Sequence, residues 1–340
     1  MASPIFPGPV LVMGAGNIGC FLGGQLAAAG AQVSFVVRPR VHTALVQRGL
    51  TLTDLDGSHQ HLPASTLRLL PSVPHGEAFS LVLLTVKSGA TATAAAELAA
   101  SLAPGTLVLS LQNGVDNAAI AQAAAPGLRV LPGMVPYNVA EEGPGRYHRG
   151  TTGRLAAQDD AALQPWLPGF AHAGLPLELH TDLRPVLWGK LLLNLNNPVN
   201  ALSGLPLRDE LLDRGYRRCL AGLMEETLSV LARAGLQPAP VSPVPPRWLP
   251  ALLRLPTPLF RLLAARMLRI DARARSSMAD DLRLGRTSEI DALCGAVVRL
   301  AQAHGLAAPR NQHMVELMQH QTERPRPMPS ARLQAVLAGS

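Results

Sequence analysis

Residues 10–29 read VLVMGAGNIGCFLGGQLAAA, and this stretch decides the architecture of the first half of the chain. The aliphatic run VLVM predicts a buried strand, and the alanine- and leucine-rich end predicts a helix. The pattern GxGxxG lies between them, where the first glycine permits a tight turn, the second admits a pyrophosphate and the third lets helix and strand pack closely. We therefore expect this turn, at the positive end of the helix, to bind a dinucleotide through Gly14, Ala15, Gly16, Asn17, Ile18 and Gly19.

The pattern continues outward from this turn to about residue 136. Aliphatic runs at 33–37, 81–86 and 107–109 alternate with helix-like stretches, which is typical of parallel strands joined by crossover helices. Residues 50–55 and 59–63 flank an Asp-Gly pair at 56–57 and predict an inserted hairpin. We place the end of this α/β domain at residue 181.

Helical spacing replaces the strand pattern after about residue 182. It predicts helices over 186–202, 207–234 and 276–304, and therefore an all-α second domain at 182–322. Eight prolines in 238–258 exclude a long helix there and predict a connector with short turns, or a lid. The Pro-rich start of the remaining segment predicts a loosely ordered tail at 323–340.

Composition excludes several classes of protein. The net charge is +7, but the basic residues are spread along the chain without a nucleic-acid-binding motif. The three cysteines have no metal-ligand or disulfide spacing, and no signal peptide or membrane-spanning run is present. We expect a cytoplasmic protein without metal, nucleic-acid or membrane partners, whose self-association, if any, gives a homodimer.

Arg38 follows the second predicted strand, at the place where NAD-specific folds carry an acidic residue for the ribose hydroxyls. A guanidinium there, with Arg40 nearby, would pair with a 2′-phosphate. The alternative is a solvated arginine at the end of a strand. NADP is therefore the expected cofactor.

The chain has only two lysines, Lys87 and Lys190, so 28 of its 30 basic residues are arginine. Lysine can donate and recover a proton when burial tunes it, whereas arginine stays protonated. Lys87 ends one buried strand and Asn113 follows the next, so both are expected at the ligand-binding carboxyl edge of the sheet. Chance survival of either lysine is the alternative reading.

Lys190, Asn194 and Asn197 follow the spacing i, i+4, i+7, which places them on one face of a predicted helix. An ammonium and two amides on a Leu-rich helix suit a polar ligand better than a core. A solvated face is the alternative. Farther along, Ser277 and Glu289 lie twelve residues apart, about three and a third turns of one predicted helix, although a capping serine and a solvated glutamate would give the same pattern.

Taken together, GAGNIG, Arg38, VKSG, LQNG, WGKLLLN and SSM followed by TSEID resemble 2-dehydropantoate 2-reductase, the ketopantoate reductase family, over about residues 9–312. The resemblance implies a Rossmann-type N-terminal domain, an α-helical C-terminal domain and NADPH-dependent reduction of 2-dehydropantoate to (R)-pantoate. It implies that Lys190 is the general acid and that Glu289 belongs to the catalytic and cofactor site. It also implies substrate contacts by Asn194 and Ser277, with Lys87 and Asn113 positioning cofactor and substrate.

The chain departs from the family pattern at substrate contacts. Pro198 stands where the family often has asparagine, with Asn197 before it, and Ala274 replaces another common asparagine. A reductase of a different 2-oxo acid is therefore one alternative, and a non-catalytic NADP-binding redox sensor is another. The sensor would have no need of an isolated lysine on a polar helix face.

Overall fold

The computed structural model describes residues 5–265, 268, 274–321 and 326–339. The chain divides into two compact units, residues 1–183 and 184–340. The first unit is α/β, and the described residues of the second unit form helices, turns and loops only. No described helix is long and apolar enough to cross a membrane.

The first unit contains an eight-stranded sheet and a four-stranded sheet. Its strands are β1 Val10–Met13, β2 Val33–Val36, β3 Leu50–Thr53, β4 His59–Leu62, β5 Arg68–Leu70, β6 Leu81–Leu84, β7 Leu107–Ser110, β8 Arg129–Met134, β9 Val139–Glu141, β10 Arg146–Arg149, β11 Leu155–Gln158 and β12 Leu177–His180. The large sheet has the order β12-β11-β8-β7-β6-β1-β2-β5. All neighbours from β5 to β8 pair in parallel, whereas β11 is antiparallel to β8 and parallel to β12.

Continuous aliphatic runs form the centre of the large sheet because both of its faces are covered. Every residue of β1, β6 and β7 is buried, as expected for parallel strands between helical layers. One apolar cluster lies on the side of the first helix, and a second lies under the third and fourth helices. The helices of this unit are α1 Asn17–Ala28, α2 Pro39–Arg48, α3 Thr91–Ser101, α4 Asn117–Ala124 and α5 Leu167–His172.

The predicted hairpin is confirmed by antiparallel pairing of β3 with β4, and the small sheet has the order β4-β3-β10-β9. This sheet packs against α1. A Cβ atom on Gly24 of α1 would lie 2.7 Å from Leu50 Cδ2, so only glycine allows the close approach. The inserted sheet therefore brings β9 to the start of α1, beside the glycine turn.

The second unit is helical in its described residues, as predicted. Its longest helix has 20 residues and contacts most of the others. The helices are α6 Arg184–Asn194, α7 Asn196–Ser203, α8 Leu207–Leu212, α9 Arg214–Arg233, α10 Leu249–Arg254, α11 Thr257–Leu263, α12 Ser277–Arg283, α13 Cys294–Ala303, α14 Pro309–Gln321 and α15 Ser330–Ala338.

Two of the predicted long helices are interrupted near the candidate site. The helix expected over 186–202 breaks at Leu195, because Pro198 has no N–H to donate to the Asn194 carbonyl. The helix expected over 276–304 is wrong as a single element. Gly285 has φ of +62° and ends α12, and the Arg286 N–H returns to the Asp281 carbonyl at 2.8 Å.

The helix predicted over 207–234 also divides, because the Asp213 carboxylate accepts from the Gly215 N–H at 2.6 Å and starts α9. The Pro-rich segment has no long helix, as predicted, and its short helices α10 and α11 carry Pro250 and Pro258 in their first turns.

The loosely ordered tail expected at 323–340 is wrong for residues 326–339, whereas 323–325 and 340 lie outside the described residues. Leu333 and Leu337 of α15 are buried against α9 and α14. The Tyr216 hydroxyl donates to the Met328 carbonyl at 2.8 Å, which holds the start of this segment. Burial of an apolar stripe orders the end of the chain despite its polar, Pro-rich start.

Candidate cofactor site and the Lys190 helix

The three glycines of the turn after β1 have different surroundings. Gly14 has φ of +98°, and a Cβ atom on it would lie 2.6 Å from Val86 Cγ1. A Cβ atom on Gly19 would lie 2.5 Å from the Gly14 carbonyl oxygen. By contrast, a Cβ atom on Gly16 would meet nothing within 4 Å. The first and third glycines are therefore needed by the fold, and the second leaves open space beside the backbone at the start of α1.

Hydrogen bonds from neighbouring strands hold this turn. Thr85, which follows β6, donates its hydroxyl to the Gly14 carbonyl at 2.8 Å. The Ala15 N–H donates to Val36 at the end of β2 at 3.1 Å. The Asn17 amide donates to the Val139 carbonyl of β9 at 3.0 Å. Asn17 thus ties α1 to the small sheet, and Ala15 and Ile18 are buried or partly buried. This turn could therefore bind a phosphate through its backbone N–H groups.

Arg38 lies exposed between β2 and α2, at the N-cap position of α2, where its backbone is extended and its side chain makes no capping hydrogen bond. In the described part of the chain it makes no ion pair. Arg40 instead forms a bidentate pair with Glu141 of β9, at 2.9 and 2.8 Å. Arg40 is therefore engaged by Glu141 within the protein. The guanidinium of Arg38 remains available to a ligand at the end of β2.

Lys87 and Asn113 lie on neighbouring loops at the carboxyl edge of the large sheet, as the strand order requires. Lys87 is exposed just after β6, and Asn113 is partly buried just after β7. The Ser88 hydroxyl donates to the Asn113 carbonyl at 3.0 Å, which joins the two loops. The structure therefore brings both predicted residues to the same edge as the glycine turn.

A buried chain of polar side chains supports these loops and was not predicted. Ser110 donates to the Gln112 amide oxygen at 2.6 Å, and the Gln112 amide donates to Thr91 at 3.0 Å. Thr91 donates to Asn117 Oδ1 at 2.9 Å, and Asn117 Nδ2 donates to the Asn113 carbonyl at 2.7 Å. Such a network fixes the backbone of Asn113. The one sequence signal for this network is the group of polar residues that directly follows the buried strand β7.

Lys190 lies in the last two turns of α6, partly buried between the buried residues Gly189 and Leu191. Desolvation lowers the pKa of its ammonium to about 8. An amine with that pKa is mostly protonated at neutral pH and releases its proton readily. The pKa of Lys190 therefore lies closer to neutrality than that of an ordinary lysine.

The Pro-rich connector lies directly against this part of α6. The Ala239 N–H donates to the Pro185 carbonyl at 2.8 Å. A Cβ atom on Gly189 would overlap the Ala239 carbonyl oxygen. The connector thus covers the Gly189 side of the turn that carries Lys190.

Asn194, Asn197 and Ser277 lie close to one another in the second unit. Asn194 ends α6 and Asn197 is in the first turn of α7, so the three polar residues expected on one helix are divided between two helices. The Ser276 hydroxyl donates to the Asn197 carbonyl at 3.2 Å and caps α12 by accepting from the Ala279 N–H at 3.1 Å. Ser277, the exposed first residue of α12, is therefore held beside α7.

The predicted helical relation between Ser277 and Glu289 is wrong, because α12 ends at Arg283. Glu289 is partly buried and directly precedes the short 3-10 helix Ile290–Ala292. Its backbone carbonyl accepts a hydrogen bond from the Ala292 N–H at 3.0 Å. A role for Glu289 in the site therefore rests on the family resemblance and not on helical spacing.

Comparison with known proteins gives the family. The family model for ketopantoate reductase PanE/ApbA matches residues 10–161, and the model for its C-terminal domain matches residues 182–322. A 2-dehydropantoate 2-reductase of Halobacterium salinarum is 29% identical over 315 residues, which are 91% of this chain and 97% of that protein.

Solved structures agree with this assignment. A PanE/ApbA family ketopantoate reductase from Ralstonia eutropha JMP134 has 31% identity and a TM-score of 0.78, with 93% of this chain and 99% of that chain covered. D-mandelate dehydrogenase, solved with NADH and anilino(oxo)acetate, shares the fold with 18% identity and a TM-score of 0.76, over 94% of this chain and 100% of that chain. The chain therefore belongs to the ketopantoate reductase family, whose members are NADP-dependent oxidoreductases.

Proposed function

We propose that this chain reduces a 2-oxo acid to the 2-hydroxy acid with NADPH, and that the substrate is 2-dehydropantoate and the product (R)-pantoate. The observation that carries the proposal is Lys190, one of two lysines in the chain, whose pKa is lowered to about 8 on a helix that also carries Asn194. The curated relatives are named for the same substrate.

The residues of the first unit fit a bound NADPH. The open space at Gly16 and the N-terminus of α1 suit the pyrophosphate, since backbone N–H groups and the helix dipole favour an anion there. The Arg38 guanidinium would bind the 2′-phosphate. Lys87 and Asn113 would position the nicotinamide end and the substrate, because both follow strands at the same sheet edge. When bound, NADPH supplies the hydride for the reduction.

The residues of the second unit would handle charge and orientation on the substrate. Negative charge develops on the C2 oxygen as the carbonyl is reduced, and the Lys190 ammonium would stabilise that charge and donate a proton to it. Asn194, Asn197 and Ser277 would hydrogen-bond the carboxylate or hydroxyl and fix the orientation of the carbonyl. Glu289 would accept a hydrogen bond from a substrate or ribose hydroxyl.

A second candidate substrate is another branched 2-oxo acid. It is favoured by Pro198 and Ala274, which lack side-chain amides at two places where the family often has asparagine. This alternative keeps NADPH and Lys190, so the two candidates differ only in substrate recognition.

The test is a turnover assay of the purified chain with NADPH and a panel of 2-oxo acids. It includes 2-dehydropantoate and the analogue that lacks its terminal hydroxyl. The proposal expects kcat/KM to be higher for 2-dehydropantoate by about tenfold or more, since a site that binds a hydroxyl loses a hydrogen bond with the analogue. Equal or reversed preference would favour the second candidate, and no turnover with any 2-oxo acid would exclude both.

A further inference from the structure

A carboxyl group is buried in the second unit against the first residue of α7. Glu210 lies in the second half of α8 with 0% of its surface exposed. No ion pair involves it among the described residues. An ionised carboxylate at such a place is strongly disfavoured unless hydrogen bonds or a cation compensate its charge. Its contacts therefore need to be accounted for atom by atom.

Glu210 forms a hydrogen-bonded pair with Asn196, the first residue of α7. Asn196 Nδ2 donates to Glu210 Oε2 at 3.1 Å. The other oxygen of each group, Asn196 Oδ1 and Glu210 Oε1, is buried and has no hydrogen-bond partner within the described parts of the chain. A side-chain amide presents an NH₂ group that donates and an oxygen that accepts, whereas both oxygens of an ionised carboxylate can only accept. One proton on Glu210 Oε1 would supply the single donor that these two oxygens lack.

We propose that Glu210 is held as the neutral acid, forms a cyclic acid–amide pair with Asn196, and so acts as a positioning residue for Asn197 in the first turn of α7 and for Ser277. In this pair Asn196 Nδ2 donates to Oε2, and the Oε1 hydroxyl donates to Asn196 Oδ1. Both planar groups are then fixed by two hydrogen bonds. Part of this inference, the effect on substrate binding, rests on the function proposed above.

The electrostatic surroundings of Glu210 favour the neutral form. Burial raises the pKa of the Glu210 carboxyl to about 8, and the hydrogen bond from Asn196 opposes this rise, as does the nearby Asn200 amide, which itself donates to the Leu205 carbonyl at 3.1 Å. The charged groups that act on it are Asp213, which raises the pKa further, and Arg217, which lowers it. The ionisable Tyr216 and Cys219, also on α9, have their own pKa values raised in this environment.

Arg217 does not serve as the counterion of a carboxylate. Its guanidinium donates to the carbonyls of Leu253, Leu211 and Leu255 at 3.0, 2.8 and 2.9 Å. It also lies over the Phe260 ring, with its Cζ atom 4.3 Å from the ring centroid. Carbonyl oxygens and a ring face therefore hold this cation, and Glu210 has no comparable set of donors.

Asn200 extends the pair to the substrate-facing helices. It lies one turn after Asn196 in α7, and its Oδ1 atom accepts from the Ser276 N–H at 2.9 Å. Ser276 in turn donates to the Asn197 carbonyl and caps α12, whose first residue is Ser277. A rigid Glu210–Asn196 pair thus fixes the start of α7 and, through Asn200, the position of Ser277. Glu210 itself contacts neither substrate nor cofactor in this arrangement.

The first test compares Glu210→Gln with Glu226→Gln in the full chain. A glutamine matches the neutral acid, since its amide can donate to Asn196 Oδ1 and accept from Nδ2. Glu226 is the matched control, because its two oxygens accept from the N–H groups of Arg310 and Asn311 and from Asn311 Nδ2, at 3.0, 2.8 and 2.8 Å. There an amide NH₂ would meet a donor. At about pH 7 we expect Glu210→Gln to keep or raise Tm, whereas Glu226→Gln should lower it by about 4 °C or more.

The pH dependence of stability has a definite sign. The folded pKa of Glu210 lies above its ordinary value of 4.5, so the folded state keeps a proton that the unfolded state loses. The stability contributed by the neutral acid is present below that ordinary value and is lost as the pH rises to about 8. Relative to wild type, Glu210→Gln should therefore gain Tm as the pH rises across this window. A loss of Tm at neutral pH equal to that of Glu226→Gln would overturn the proposal.

Infrared spectroscopy gives a reading that does not depend on activity. The difference spectrum of wild type minus Glu210→Gln at about pH 6 should contain the carbonyl band of a protonated carboxylic acid, which disappears as the pH rises through the raised pKa. Carboxylate bands alone at about pH 6 would show an ionised Glu210 and refute the proposal, whatever the substrate of the chain is.

The positioning role is tested by steady-state kinetics. Glu210→Leu removes both hydrogen bonds to Asn196, and we expect the KM for the 2-oxo acid to rise about tenfold while NADPH affinity stays within about threefold. Glu210→Gln should rescue the KM. An equal loss of NADPH affinity, or no change in KM with Glu210→Leu, would leave Glu210 as a stability residue only. Failure of turnover in wild type would count against the proposed function and leave the infrared result standing.

Discussion

Lys190→Ala should lower kcat by about 10²–10⁴-fold, or about 3–5 kcal/mol, with NADPH affinity nearly unchanged. The reason is that the ammonium acts on charge that develops at the substrate oxygen. The predicted cofactor contacts are made by other residues, Gly16 and Arg38. The pKa of about 8 adds a second expectation for wild type, because only the protonated lysine donates. About nine tenths of Lys190 is protonated at about pH 7 and about one tenth at about pH 9. We therefore expect kcat/KM to fall about tenfold across that range.

The Lys190→Arg variant distinguishes proton donation by Lys190 from the effect of its positive charge. Its guanidinium keeps a positive charge at any working pH but does not give up its proton, so kcat should stay close to that of Lys190→Ala while the alkaline fall disappears. The assay is turnover with saturating NADPH across pH for wild type and both variants, with NADPH affinity measured by calorimetry as the control for folding. Near-wild-type turnover in Lys190→Arg would refute the assignment of Lys190 as the acid. The proton donor would then have to be sought at Lys87 or in water.

Three further predictions concern the glycine turn, the cofactor and α6. Gly16→Val should keep the fold, because the space beside Gly16 is open, but abolish dinucleotide binding; unchanged NADPH affinity in calorimetry would contradict this. Wild type should favour NADPH over NADH by about tenfold or more in kcat/KM, about 1.4 kcal/mol, and Arg38→Asp should erase the preference. Equal use of NADH by wild type would remove the basis for this role of Arg38. Gly189→Ala should cost about 1–3 kcal/mol in urea unfolding, because its Cβ atom overlaps the Ala239 carbonyl oxygen. The control is Gly127→Ala, because a Cβ atom there meets nothing within 4 Å, and it should lower the free energy of unfolding by less than Gly189→Ala does. Gly30 is unsuitable as a control, since its positive φ would strain any side chain.

The α/β unit could be predicted because its determinants are local. A four-residue aliphatic run bounded by a glycine turn predicts a buried strand, and β1 is buried at every position. The Asp-Gly pair at 56–57 likewise determines the β3–β4 hairpin, since only a few backbone conformations reverse a chain so tightly. Strand order then placed Lys87 and Asn113 at one edge without any knowledge of side-chain contacts.

Helix boundaries in the second unit could be predicted only in part. One helix was expected across Pro198, although a proline removes one helical hydrogen bond at a known place, and that signal could have indicated the break between α6 and α7. The end of α12 was not visible in the sequence, since Gly285 stops the helix only in combination with the returning N–H of Arg286. Leu333 and Leu337 have helical spacing, but the packing of α15 on α9 depends on residues more than a hundred positions away.

The sequence by itself determined the dinucleotide turn, the expected NADP readout by Arg38 and the isolation of Lys190, because each depends on residue type and short spacing. The tertiary structure alone decided which groups lose water. The pKa of Lys190 is lowered by the protein around its ammonium, and Glu210 is buried against Asn196 although its neighbours in sequence include Arg208 and Asp209. Desolvation depends on every atom that surrounds a group, and those atoms come from segments far apart along the chain.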